Sequence, residues 1–99
     1  MKHFFYKLIP PRPTFPVDMT EAETVIMQEH FVYWSSLFAE HKAVVYGPVM
    51  DPKGSFGVAV VELEDESTAK SIAGNDPAIK SNAGFRFELH LMPDAIVRL

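Results

Sequence analysis

Cysteine is absent from the 99-residue chain, which removes disulfides, thiolate zinc sites and a cysteine nucleophile together. Basic charge is scarce as well. Nine Lys and Arg face thirteen Asp and Glu, the net charge is −4, and no basic run reaches four residues. Nothing in that balance attracts a phosphate backbone, so nucleic-acid binding is disfavoured. No apolar run approaches the ~18 residues of a membrane span. The opening MKHFFYKLIPP has a short apolar run and no small-residue cleavage site, and reads as a first strand rather than a signal peptide. There is no GxGxxG, Walker sequence, GxSxG or HExxH, so nucleotide binding, serine hydrolysis and a zincin site lack support. No metal or cofactor is expected, and the default is a soluble, cytoplasmic protein.

What is present is apolar: 47% hydrophobic and 12% aromatic residues, too much for a disordered chain. The length suits a single domain over residues 1–99. A chain this short has a modest core and gains from oligomerisation.

The pattern along the chain predicts β-α-β-β-α-β. HFFYKLI (3–9) is a short aromatic strand. PPRPTFPVD follows, with four prolines in residues 10–16, and is an ordered loop because proline fits neither a helix interior nor a central strand. Thr20 and Glu23 have the spacing of a capping box, with Asp18 placed to favour the same helix end. From there a helical period runs to about His41, with Val25, Ile26, Trp34, Leu37 and Phe38 as its apolar stripe. AVVYGPVM (43–50), the turn DPKGS (51–55) and FGVAVVEL (56–63) make a hairpin. DESTAKSIAG (65–74) is a short helix ended by Gly74, and Asp76–Pro77 start another as N-cap and N1. GFRFELHLM (84–92) alternates, with Phe85, Phe87, Leu89 and Leu91 on one face. This order is the ferredoxin-like α+β unit with an antiparallel sheet.

The middle strands are apolar on both faces: Phe56, Val58 and Val60 on one, Gly57, Ala59, Val61 and Leu63 on the other. Helices cover only one side of such a sheet, and a wet second face should carry alternating polar residues. The second face is therefore expected to pack on the sheet of an identical subunit. A partly covered face within a monomer is the plainer alternative.

His30, in QEHFVYW (28–34), is the sharpest chemical candidate. It lies one turn from Ile26, Met27 and Trp34, toward the sheet. Apolar burial lowers a histidine pKa and a nearby carboxylate raises it, so a base near neutrality is one outcome. A core histidine bonded to a backbone carbonyl is the other. Gly47 and Pro48 close a strand, where glycine permits close approach of a ligand or simply ends the strand. Tyr46, Phe56 and Phe5 are candidates for an aromatic pocket or for ordinary core. His3 and His90 fall on strands that pair in this fold but lack metal-ligand company.

His30, Trp34 and Leu37, Gly47–Pro48, Asp51 and Gly54, Asp76–Pro77 and Pro93, in that order and spacing, resemble the YCII-related family over nearly the whole chain. The resemblance implies a ferredoxin-like fold that pairs sheet to sheet as a dimeric α/β barrel. It also implies an active site with a His–Asp dyad, carried here by His30 and Asp76. Trp34, Tyr46, Gly47 and Pro48 are the candidate residues around a small-molecule ligand. The activity associated with the family is dehydrochlorination of a hydroxylated, chlorinated aromatic ring. The expectation is a small cofactor-independent enzyme that moves a proton in an elimination or isomerisation of a hydroxylated ring. The alternative is a non-catalytic ligand-binding or dimerising module. The proline-rich loop (10–17) stands where relatives often have a polar, charged connection and is expected to border the site, so substrate identity does not carry over.

Overall fold

The computed structural model describes residues 1–98. Strand β1 (Lys2–Ile9) leads through the proline loop to helix α1 (Glu21–Ala39), then to the hairpin β2 (Ala43–Val49) and β3 (Phe56–Leu63). Helices α2 (Glu66–Gly74) and α3 (Pro77–Lys80) precede β4 (Arg86–Met92). The four strands form one antiparallel sheet in the order β2-β3-β1-β4. This is the expected α+β, ferredoxin-like arrangement, with the second helical stretch divided in two at Asn75–Asp76. Among the described residues no helix is long and apolar enough to cross a membrane.

Period-two alternation sorts the sheet faces. Phe4, Tyr6 and Leu8 of β1 and Ala59, Val61 and Leu63 of β3 are buried beneath the helices. Burying a side chain such as Phe4 or Leu8 in full contributes about 1.5–3 kcal/mol. Gly57 lies on this face, and a Cβ there would touch the Leu8 side chain at 3.5 Å. Val44 is the extra residue where the β2–β3 register shifts between Ala43 and Val45. The opposite face carries Phe5, Val58 and Val60, and Val45 on it is half exposed.

Helix α1 begins as its spacing predicts. Thr20 Oγ1 accepts from the Glu23 amide at 3.1 Å, and Glu23 Oε1 accepts from the Thr20 amide at 3.0 Å. The inward side of α1 is narrower than the expected stripe. Trp34 and Leu37 are buried, but Val25 and Phe38 are exposed by about half. The helix ends at Ala39 rather than His41, whose positive φ of 63° takes it out of the helical region. Gly74 is the last residue of α2, with Asn75 as its cap, so this end needs no left-handed glycine.

The proline loop is pinned to α1. Arg12 donates to both Glu23 oxygens at 2.7 and 2.8 Å and to Asp18 Oδ1 at 2.9 Å, which also accepts company from Thr14 at its other oxygen. The loop also leans on two glycines that would crowd it if they carried a Cβ: Gly84 would meet Pro11 at 3.0 Å and Gly54 would meet Pro13 at 3.4 Å. Hydrogen bonds from Arg12 hold the Glu23 carboxyl down to about 2, and Arg12 also lowers Asp18. A depressed carboxyl pKa stabilises the fold above its unfolded value, and that contribution is lost as pH falls through the folded value. The thermal midpoint should therefore hold near neutrality and fall between pH 4.5 and about 2. In calorimetric scans across that range, Glu23→Gln should melt lower at pH 7 and show a shallower acid decline. An unchanged acid limb in the variant would contradict this.

Candidate functional site

Asp76 is fully buried, and its carboxylate gathers donors from three elements. It caps α3, with Oδ1 accepting from the Ala78 amide at 2.9 Å. Oδ2 accepts from Tyr6 Oη of β1 at 2.8 Å and from Trp34 Nε1 of α1 at 2.9 Å. His30 Nδ1 of α1 stands 2.8 Å from Oδ2 and 3.0 Å from Oδ1. Burial pushes the Asp76 pKa up, but His30, Trp34 and the Ala78 amide outweigh it and hold the carboxyl below its ordinary value. Asp76 is thus ionised at neutral pH. Burial and the adjacent Asp76 charge drive the Tyr6 phenol the other way, well above the usual range, so it stays a donor.

This network sets the tautomer of His30. An ionised carboxylate only accepts, so Nδ1 must carry the hydrogen and donate it. In the neutral ring Nε2 is then a free lone pair. Nε2 has no hydrogen-bond partner among the described residues, and no unpartnered side-chain nitrogen or oxygen is fully buried. The ring lines a cavity of about 710 Å³, and its side chain keeps 21% exposure. Nε2 is therefore accessible at the wall of that cavity.

The cavity lies between α1, the β2–β3 hairpin and the proline loop. Trp34, Tyr46, Gly47 and Pro48 all border it, with Phe56, as does none of the acidic or lysine and arginine side chains. Tyr46 Oη pairs with Ser35 Oγ at 2.7 Å. A Cβ on Gly47 would meet nothing within 4 Å, so no close approach accounts for that glycine. Phe5 pairs with Val60 on the other side of the sheet and is not part of the wall. His3 and His90 bond different carboxylates, Glu62 at 2.9 Å and Glu88 at 3.2 Å. Among the described residues no cluster of three or more His, Asp or Glu has the makings of a metal site.

One part of the site was not singled out in the sequence pattern. It is Tyr6; the signal available was a tyrosine in an aromatic strand, since a buried phenol needs a partner for its hydroxyl. The proline loop borders the site, as its place in the chain led one to expect. Phe15 is buried edge-on against Phe85 at 5.6 Å, and Phe15, Pro16, Met19 and Phe85 close one side of the cavity.

A family model for the YCII-related domain matches residues 4–92, nearly the whole chain. The chain belongs to the YCII-related family. Among solved structures it is similar to the 5-chloro-2-hydroxyhydroquinone dehydrochlorinase TftG from Burkholderia phenoliruptrix AC1100, determined with 2,5-dihydroxybenzoquinone. The TM-score is 0.59 at 21% identity, over 86% of this chain and 90% of that one. A likeness at that identity establishes the shared fold. No curated protein matches the chain.

The carboxylate network makes a stability prediction for this family member. Asp76→Ala strands the buried Tyr6 and Trp34 donors, each at a cost of about 1–3 kcal/mol. Tyr6→Phe leaves the carboxylate with its other donors and should cost about 1.5–3 kcal/mol, the worth of one bond to a charged group. Urea unfolding should show the alanine variant as the less stable of the two. Equal midpoints would mean the carboxylate does not organise these donors.

Proposed function

We propose that this protein is a small acid–base enzyme in which His30 Nε2 exchanges a proton with a neutral, hydroxylated ring held in the cavity. The observation that carries the reading is the oriented His30: Nδ1 anchored on a buried, ionised Asp76, Nε2 unpartnered at the wall of an apolar cavity. A carboxylate that fixes the tautomer and steadies the protonated ring is what a histidine base needs. Nε2 accepts a proton from a ring hydroxyl or an activated C–H. The electron pair left behind forms the new C=O or C=C bond. In an elimination the leaving group departs with its bonding pair; in an isomerisation the protonated Nε2 returns the proton to another ring atom. Neither course calls for an external oxidant or reductant. The fold shared with a dehydrochlorinase of a hydroxyhydroquinone supports the same substrate class.

His30→Gln keeps a polar group of similar reach but cannot act as the base. It should lower kcat about 10²–10⁴-fold on any turned-over hydroxylated ring, and lower the thermal midpoint as well, because the Nδ1 bond to the buried Asp76 carboxylate is lost. Turnover that survives in a folded His30→Gln protein would overturn the proposal.

The uncovered sheet face supports a homodimer. Phe5, Val58 and Val60 lie on it with Val45, and no helix covers them. Lys7 stands 4.4 Å over the Phe56 ring on the same side, so the apolar centre has a charged border. That makes a suitable interface: apolar at its centre, polar at its rim. Sedimentation equilibrium should return twice the chain mass, and Val58→Glu should return one. A wild-type monomer at tens of micromolar would exclude the dimer.

A further inference from the structure

The cavity is larger and more uniformly apolar than one hydroxylated ring requires. Its volume of about 710 Å³ compares with the ~300–1,000 Å³ of pockets that enclose drug-sized ligands. At ~30 Å³ for each water molecule's share of liquid, a single six-membered ring leaves much of it wet. Its wall holds no carboxylate, lysine or arginine, and His30 is its one imidazole. A ligand carboxylate or phosphate would enter without a counter-charge, at a large desolvation cost.

Two aromatic side chains form the more open border of this space. Phe31 and Phe38, one on either side of Trp34 along α1, border the cavity yet are 61% and 51% exposed. Each meets Tyr46 at an angle of 63°, with centroids 5.9 and 6.0 Å apart. Neither ring is used by the core. Together with Tyr46 they form an open aromatic frame, of the kind that gains area and edge-to-face contact when another ring enters. Tyr46, whose hydroxyl pairs with Ser35 Oγ at 2.7 Å, adds a polar group to this border.

We infer that the substrate of this site is a neutral two-ring hydroxylated aromatic. Its hydroxylated ring lies against His30 and its second ring occupies the frame of Phe31, Phe38 and Tyr46. This rests on the proposed reading of the cavity as the substrate site and specifies the substrate class.

The test is calorimetric titration of the full chain with phenol, hydroquinone, 2-naphthol, 4-phenylphenol and 2-naphthoate at pH 7. The two-ring phenols should bind about 10-fold or more tightly than phenol, from the area of a second ring removed from water. The anion 2-naphthoate should bind more weakly than 2-naphthol. Phe31→Ala and Phe38→Ala, both at exposed positions, should fold normally and shrink the naphthol-to-phenol ratio about threefold or more. If phenol or hydroquinone binds as tightly as 2-naphthol, if naphthoate binds best, or if both alanine variants keep the full ratio, the inference is wrong. His30→Gln separates this result from the catalytic proposal. The two-ring preference should persist in that variant, so a folded protein that discriminates ring number but never turns over a substrate refutes the chemistry and retains the ligand class.

Discussion

One buried carboxylate holds the site together. Asp76 has no exposure to water, and a lone charge there would be prohibitively costly. It is stabilised because β1, α1 and α3 each aim an N–H or O–H at it: Tyr6, Trp34 and His30, and the Ala78 amide. The same bonds that keep the charge ionised fix the position of α1 over the sheet and the start of α3. Since every donor hydrogen is directed at the carboxylate, His30 has a single consistent tautomer, with its lone pair directed away at Nε2. Fold and site therefore share one interaction. The residue that orients His30 is also a helix cap: Oδ1 accepts the Ala78 amide while Oδ2 accepts Tyr6 and Trp34.

A second constraint shapes the space in front of His30. Arg12 of the proline loop reaches Glu23, the residue that completes the capping box of α1. The helix entry and the loop cannot move independently without breaking these charge-assisted bonds. Proline limits the conformations the loop loses on folding, and Phe15 seals it against Phe85. The loop thereby forms one wall of the cavity. The result is an apolar space in which a histidine is the main polar feature, and electrostatic interactions are stronger in such surroundings than in water.

Much of the architecture was legible before any coordinates. The aromatic run 3–9 marked β1, the alternation in 84–92 put Phe87, Leu89 and Leu91 on the face that pairs with Leu8, Tyr6 and Phe4, and the Thr20–Glu23 spacing located the start of α1 to the residue. The Asp76–Pro77 pair announced a helix start, which α3 is. The stripe on α1 was read too wide. Val25 and Phe38 satisfy the helical period, but the sheet is only four strands across and α1 meets it along a narrower band. The second-face residues of β2 and β3 showed as apolar in sequence, and they lie on the uncovered side of the sheet.

The chain's own pattern determined the order of elements, their inward faces and the placement of His30 on a sheet-facing side of α1, because those depend on local spacing of 2 and 3.6 residues. Family resemblance added Asp76 as the partner to consider. Only the tertiary structure decided that Asp76 lies 46 residues away from His30 in sequence yet within hydrogen-bond reach, that Tyr6, 70 residues away, shares the same oxygen, and that Nε2 has a cavity beside it. Periodicity states which side of an element is buried. It carries no information about which buried polar groups converge, since that depends on how separate elements dock.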